Sequence, residues 1–384
     1  MKILLVHNYY KSNHVGGEDL VFNQELEGLR KILGEKNVFE YTVSNDNLNK
    51  YSLIFKIWYS RKHNNAIKRL IIEKKIDLVH IHNYFPILTG GVFNIGKNNK
   101  VKIIHTMHNY RNWCISGIFY KPETGVCEIC SKKKYPIHGI LNSCYRNSLP
   151  SSILAQFAFW FYTKKKFLKK IDRIIVLTEF QRNKLLSLGI DNTKLSIKPN
   201  FIEIKKGKIN NKIDNQYVFV GRLEKSKGIF VLLKIWRKLP SWYKLVVIGN
   251  SEDLENIDEK YHSDNIIFKG KLDQNETRKI IQKSKYLIHP SLCYETFGLT
   301  LIEAFSLGTP VIGLNVGTRR EMIINEWNGF ICKEKDLFKT ILLSQDYKNY
   351  ESLVKNAIVF AQKFEKEKNL LEQIKLYRNL IEKS

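Results

Sequence analysis

The sequence predicts an α/β protein of two domains, each a parallel sheet with helices on both faces. Three observations carry this. Short apolar runs of strand length alternate with helical patterns along most of the chain, the rhythm of βαβ units. At 384 residues the chain is longer than one ordinary core serves. A stretch rich in Lys, Asn and Ile at 199–216 separates two alternating series and places the boundary at 200/201. The expected domains are residues 1–200 and 201–384, with the last helices packing back toward the first domain.

In the first domain, residues 3–6 form a buried-type strand that ends at His7 and Asn8. A loop carries Gly16, Gly17 and Glu18 into a helix whose expected apolar side is Leu20, Val21, Leu26, Leu29 and Ile32. Strand, glycine-bearing loop and helix make a turn where backbone N–H groups can approach a phosphate. A plain turn with no ligand is the alternative. The G-x-G-x-x-G pattern of dinucleotide folds is absent here, which argues against NAD. Further strands are expected at 38–43, 77–82, 101–106 and 173–177. His82 and His108 fall at or just past strand ends, where parallel sheets bind ligands. A lone histidine there is more often a structural hydrogen-bonding group.

Residues 108–148 interrupt the alternation and hold Cys114, Cys127, Cys130 and Cys144. Cys127 and Cys130 have C-x-x-C spacing, and the other two could complete a tetrahedral structural zinc site. The alternative is reduced, unligated thiols or a redox pair. Residues 151–170 read as one helix with Ile153, Leu154, Phe157, Phe161 and Tyr162 apolar and Lys164, Lys165, Lys166, Lys169 and Lys170 clustered after them. Such a helix either lies on an anionic membrane or faces the core with solvated lysines.

The second series opens with a strand at 217–220, followed by Gly221, Arg222, Leu223 and then Lys227-Gly228. Arg222 and Lys227 flank a strand-to-helix turn, where cations can neutralise a diphosphate. It is not a P-loop. Strands follow at 244–248, 265–268 and 286–288. After the last comes Glu295, a helix from about Gly298, Glu303 within that helix, a stop at Gly308 and Pro310, and another strand at 310–312. Two carboxylates eight positions apart therefore bracket a helix start, whose N–H groups favour an anion. The C-terminal part from about Asp346 is helical, with Leu371, Ile374, Leu380 and Ile381 as docking positions.

The net charge is +26, and residues 1–200 carry +18 of it. Nucleotides, phospholipid headgroups and nucleic acid are the anionic partners this favours, against a plain compositional bias with solvated lysines. The N-terminus carries no secretory signal pattern, and no apolar run is long enough to span a bilayer, so a cytoplasmic or membrane-peripheral location is expected.

These motifs together resemble the family 4 retaining glycosyltransferases (glycosyl transferases group 1). Glu295-Thr-Phe-Gly-Leu-Thr-Leu-Ile-Glu303 is similar to the family's E-x7-E element, Gly221-Arg222-Leu223 with Lys227-Gly228 to its basic turn, and Lys198-Pro199-Asn200 to the segment entering its hinge. Gly16-Gly17-Glu18 and His108-Asn109-Tyr110-Arg111 match more loosely. The resemblance implies a GT-B architecture, two Rossmann-like domains facing across a cleft. It implies that Arg222 and Lys227 bind the donor diphosphate, that Glu303 accepts from the ribose hydroxyls, and that Glu295 holds hydroxyls of the donor sugar. Backbone N–H groups around Phe297, Gly298, Leu299 and Thr300 would hold sugar and phosphate oxygens. Gly16 and Gly17 would approach the phosphates, and His108 would sit near the sugar. The implied reaction moves a sugar from a UDP- or GDP-linked donor to a glycan or lipid-linked acceptor, in capsule, lipopolysaccharide or other surface-polysaccharide synthesis. No catalytic metal is expected: negative charge growing on the leaving diphosphate needs cations, the basic turn supplies them, and the D-x-D pair of metal-dependent transferases does not occur. A basic nucleic-acid- or membrane-binding module, or a GT-B phosphorylase or epimerase, are the competing readings; the first leaves both glutamates and the basic turn idle.

Overall fold

The computed structural model describes residues 1–12, 16–48, 56–96, 101–133, 136–204, 212–250, 254–261 and 263–382. In chain order the elements are β1 (Ile3–Tyr9), α1 (Gly17–Leu33), β2 (Val38–Ser44), α2 (Arg61–Lys74), β3 (Leu78–Ile81), β4 (Lys102–Thr106), the short pair β5 (Tyr120–Lys121) and β6 (Gly125–Val126), α3 (His138–Leu141), α4 (Leu149–Lys164), β7 (Arg173–Val176), α5 (Glu179–Ser187) and β8 (Leu195–Ile197). There follow β9 (Ile213–Val220), α6 (Ile229–Trp236), β10 (Lys244–Ile248), α7 (Leu254–Tyr261), β11 (Ile266–Gly270), α8 (Gln274–Lys283), β12 (Ser284–His289), α9 (Leu299–Ser306), β13 (Val311–Leu314), α10 (Arg319–Met322), β14 (Gly329–Cys332), α11 (Leu337–Gln345), α12 (Tyr350–Ala361) and α13 (Lys366–Glu382).

The chain divides into two compact units. One holds Met1–Phe119, Glu128–Phe201 and Lys366–Ser384; the other holds Tyr120–Cys127 and Ile202–Glu365. The basic stretch 205–211, part of the expected boundary, lies outside the described residues.

The first unit is a parallel sheet in the order β2-β1-β3-β4-β7-β8. Ile3, Leu4, Leu5 and Val6 are all fully buried, as a central parallel strand covered on both faces requires. Phe22, Leu26 and Leu29 of α1 pack on this sheet, and α13 docks beside them through Leu370, Ile374 and Tyr377. Burying each such side chain contributes roughly 1.5–3 kcal/mol. The two helices cross closely at Gly28, where a Cβ would stand 2.3 Å from Leu370 Cδ1. Val21, Leu26 and Leu29 of α1 and Ile374 of α13 are buried as expected, and the faces differ from the expected ones at single positions. Leu20 and Ile32 are exposed while Phe22 is buried, and Leu371 is exposed while Leu370 is buried.

The expected single helix at 151–170 is two pieces. α4 starts at Leu149, with Ser148 Oγ accepting the Ser151 N–H at 3.4 Å and Pro150 in the first turn, and it stops at Lys164. Lys166 adopts a left-handed conformation, and a short 3₁₀ turn covers Phe167–Lys170. The buried side of α4 is Ser152, Ala155, Ala158, Phe159 and Tyr162; of the apolar residues read from the sequence, Tyr162 is buried while Ile153 and Phe157 are exposed.

The second unit is a parallel sheet in the order β11-β10-β9-β12-β13-β14. Its core joins Tyr217, Leu245, Tyr286 and Ile312 of the strands to Leu232, Leu233 and Trp236 of α6. α9 ends where Gly308 takes φ 66°, a left-handed residue that closes the last turn before Pro310.

Candidate active site

In the second unit the strand order turns around between β9 and β12, and ligands of such sheets bind past the carboxyl ends of the strands at this point. β9 runs out into Gly221 and the basic turn; β12 runs out into the loop that carries Glu295. The two segments are tied together. The Leu292 N–H donates to the Ser226 carbonyl at 2.9 Å. Gly228 takes φ 72° as the residue before α6, and a Cβ there would lie 1.9 Å from the Pro290 carbonyl oxygen. Only glycine satisfies both the conformation and the approach.

This juxtaposition puts Lys227 Nζ 2.6 Å from Glu295 Oε1. Ser291 Oγ donates to the same oxygen at 2.6 Å, and His289 Nε2 is 3.5 Å from Oε2. Burial opposes ionisation of Glu295, but the Lys227 ammonium, helped by His289, holds its carboxyl well below the usual range. Burial likewise opposes the charge on Lys227, and Glu295 overrides it, raising the ammonium above its ordinary value. Beneath the pair lies Arg319, fully buried, whose guanidinium donates to the carbonyls of Leu314, Ser291 and Cys293 and so fixes the loop leading to Glu295. Nothing in the sequence pattern singled out Arg319, His289 or Ser291. A charged residue two positions beyond Gly317, five past the end of an apolar strand, was the available signal.

The other expected donor residues are placed separately. Arg222 reaches into solvent and pairs with Glu224 Oε1 at 2.8 Å, an exposed contact of small energetic value. Glu303 is half-buried in α9; burial pushes its carboxyl up, against the pull of Gln274, 3.4 Å away, and of Arg278. Glu295 and Glu303 therefore sit in different hydrogen-bonded surroundings. Gly298, at φ 102°, precedes α9, with Leu299 and Thr300 in the first turn where N–H groups lack intrahelical partners. Phe297 is buried against Phe364, and its carbonyl accepts from Thr318 Oγ1 at 3.3 Å.

In the first unit, Gly16 and Gly17 open α1. The Gly16 N–H donates to Asp19 Oδ2 at 3.1 Å, while Asp19 Oδ1 lies 2.7 Å from His7 Nε2. The expected phosphate-approach N–H of Gly16 is thus spent on a helix cap, because Asp19 stands three residues on. Residues 13–15 of that loop lie outside the described residues. His108 and His82 line one pocket with Asn83, Tyr84, Arg111 and Asn112. The two imidazoles stack 5.2 Å apart, with His108 Nε2 3.0 Å from His82 Nδ1. Burial pushes both below the ordinary histidine value, His82 to about 4. Both rings are therefore neutral near pH 7.

Among the described residues, one group of three metal-donor side chains converges: Glu25, His80 and His82, all buried. It is already satisfied. Glu25 Oε2 is 3.1 Å from Lys198 Nζ, His80 spends its nitrogens on Tyr377 and Thr106, and His82 on Glu25 and His108. A cation there would have to displace the lysine. Cys114, Cys127, Cys130 and Cys144, expected to bind zinc, do not converge in such a group. Cys114 Sγ lies 3.1 Å from Ser116 Oγ, and Cys127 falls with the β5–β6 segment in the second unit while Cys130 falls in the first. Four cysteines within a long loop are not enough to fix a ligand set.

Comparison with known proteins decides the family. The model for glycosyl transferases group 1 matches residues 200–357, and that for glycosyltransferase family 4 matches residues 35–206. The chain belongs to the group 1, family 4 glycosyltransferases. It is a hexosyltransferase-type enzyme that uses a nucleotide sugar. An uncharacterized glycosyltransferase of Methanocaldococcus jannaschii is 26% identical over 99% of each chain. The alpha-monoglucosyldiacylglycerol synthase of Streptococcus pneumoniae is 24% identical, over 72% of this chain and 63% of that one. Sucrose-phosphate synthase from Thermosynechococcus elongatus superposes with a TM-score of 0.71 at 18% identity over all of both chains. Anabaena HepE, solved in complex with UDP, gives 0.67 at 13% identity over 99% of this chain and 100% of that one. The fold is GT-B, two Rossmann-like units. In this glycosyltransferase Glu295 and the turn that carries Lys227 meet at the switch point of the second sheet.

Proposed function

We propose that this glycosyltransferase moves a sugar, with retention of anomeric configuration, from a UDP- or GDP-linked donor to a glycan or lipid-linked saccharide during cell-surface polysaccharide synthesis. The observation that carries the reading is the Lys227–Glu295 pair at the carboxyl ends of β9 and β12. A cation fixed there, with Arg222 near it in the chain, can take up the charge that grows on the leaving diphosphate. Glu295, ionised and immobilised by Ser291 and the Arg319-bound loop, can accept from sugar hydroxyls. Glu303 is assigned to the ribose hydroxyls, and the N–H groups opening α9 at Phe297–Thr300 to sugar and phosphate oxygens. Gly17 and His108 are assigned to the transfer as well, His108 as a neutral hydrogen-bonding group, and Gly16, its N–H spent on Asp19, only as the residue without a side chain that lets a phosphate come near. These cations do the work for which other transferases recruit a metal, so transfer is expected to survive chelation. The names of relatives support the acceptor class: one is an uncharacterized protein in the cps region of Klebsiella pneumoniae, 25% identical over 64% of this chain, and another makes a glucosyl diacylglycerol.

A panel of UDP- and GDP-sugars, assayed in EDTA with the product anomer read by NMR, tests this. One donor is expected to react far faster than the rest and to keep its anomeric configuration. No transfer from any of them, or an inverted product, overturns the reading.

The surface of α4 favours a membrane-peripheral location. Ile153, Phe157 and Trp160 are exposed at 39%, 50% and 38%. Lys164 Nζ sits 5.5 Å from the Trp160 ring centroid and Lys165 Nζ 5.6 Å from that of Phe161. Apolar side chains flanked by lysines suit the interface of an anionic bilayer. No helix among the described residues is long and apolar enough to cross a membrane. Flotation with phosphatidylglycerol vesicles at low salt is expected to carry the protein up, and Phe157→Glu with Trp160→Glu to abolish this. Failure of the wild type to float rejects the membrane role.

A further inference from the structure

A line of buried polar groups runs from Lys198 to His108 through the first unit. Lys198 Nζ stands 3.1 Å from Glu25 Oε2, Glu25 Oε1 is 3.1 Å from His82 Nε2, and His82 Nδ1 is 3.0 Å from His108 Nε2. Glu25 is 1% exposed and His82 2% exposed. Gln373 of α13 also donates to Glu25 Oε1 and to the Tyr377 hydroxyl. Glutamate is a costly residue to place on the apolar side of a helix between Phe22 and Leu29, and packing alone does not call for it.

Hydrogen-bond bookkeeping fixes the protons along this line. A carboxylate facing a lysine ammonium has no proton to give, so the nitrogen of His82 that meets it must be the N–H. A neutral imidazole has one N–H and one lone pair. His82 Nδ1 is then an acceptor, and His108 must donate to it from Nε2. The lone pair of His108 is left on Nδ1. The pressure of burial, which keeps both rings neutral, and the ammonium, which with His82 and His80 holds Glu25 well below the usual carboxylate range despite its own burial, agree with this assignment.

We propose that Glu25, paired with Lys198, is a positioning residue that acts through His82 to hold His108 in one ring orientation and in the Nε2–H tautomer. The inference rests on the assignment of His108 to the transfer. It makes His108 a group of fixed polarity, an Nδ1 acceptor that cannot turn over to become a donor. A carboxylate orienting an imidazole is a known way to govern which nitrogen carries the proton, and the wrong tautomer costs rate even where the geometry is intact.

Two-bond proton–nitrogen correlation spectra of the full chain labelled with ¹⁵N-histidine read the tautomer directly. In the wild type at pH 7.5, His82 and His108 are each expected to carry the proton on Nε2 alone. In Glu25→Gln the new amide can donate where the carboxylate only accepted. His108 is expected to lose its single tautomer, and kcat to fall about tenfold or more with the donor KM little changed. Glu25→Asp, which keeps the charge, should restore the Nε2–H signal and part of kcat. A wild-type His108 protonated on Nδ1 overturns the proposal, and this measurement decides even if the variants fail to fold. Wild-type kcat in Glu25→Gln overturns it too. His108→Ala separates the two levels: full activity there overturns the role of His108 itself, whereas an inactive His108→Ala beside an active Glu25→Gln overturns the relay alone.

Discussion

Replacing Lys227 by alanine is expected to lower kcat of sugar transfer about tenfold or more, equal to about 1.4 kcal/mol of barrier. The side chain is the one cation of the basic turn that the fold holds in a fixed place, 2.6 Å from Glu295 and pressed against the loop after β12. Arg222 is mostly solvated and can move, so it replaces that function poorly. The loss has a second part. Glu295 keeps Ser291 and His289 but loses the charge that keeps it ionised while buried, so its carboxyl should climb back toward the ordinary range. The activity of Lys227→Ala should therefore fall further as pH is lowered from 6 toward 4.5, where the released carboxyl takes up its proton, while that of the wild type does not through this group. Steady-state kinetics of both across that range check the expectation. Turnover near wild type at pH 8 would remove Lys227 from the diphosphate role.

The second large effect is on stability. Glu25→Ala should cost about 3–5 kcal/mol, because it strands the Lys198 ammonium, 5% exposed, without its carboxylate. Urea unfolding at pH 7.5 measures this. The sign of the pH dependence follows from the direction of the shift. The carboxyl of Glu25 is depressed in the folded chain, so its contribution is complete above the unfolded carboxyl value of about 4.3 and is lost as pH falls through the lower, folded value. The gap between wild type and Glu25→Ala should be constant from pH 8 to 5 and close only in stronger acid. A gap under about 1 kcal/mol at pH 7.5 would mean that the buried network relaxes around the loss.

Much of the candidate site of the second unit was legible in the chain. The strands before Gly221 and Glu295 are short apolar runs, the helix after Gly298 has a glycine start and a glycine–proline stop, and the spacing of Glu295 and Glu303 is local. Local signals of that kind fix local structure. The relation between Lys227 and Glu295 is not local: 68 residues separate them, and the strand order brings β9 and β12 side by side. The faces of α1, α4 and α13 were read only in part for a similar reason: Val21, Leu26, Leu29, Tyr162 and Ile374 are buried as read, but Leu20, Ile32, Ile153, Phe157 and Leu371 are exposed. Periodicity gives the presence of an apolar stripe, but which of two adjacent apolar residues is buried depends on the neighbouring element, as at Leu370 and Leu371 against Gly28. The four cysteines show the limit of counting residues, since spacing in a long loop does not determine distance.

By itself, then, the chain determined that it forms two parallel-sheet units, where the basic turn and the two glutamates lie, and which family they resemble. Tertiary structure decided what each of those groups faces. It paired Lys227 with Glu295 and left Arg222 in solvent. It also set where α13, expected to pack back toward the first domain, lies on the first sheet, so that residues 373 and 377 meet Glu25 and His80, hundreds of positions away. The physical reason is that a buried charge or imidazole takes its protonation and orientation from partners within about 3 Å, and in a parallel sheet those partners come from strands and helices that the sequence keeps far apart.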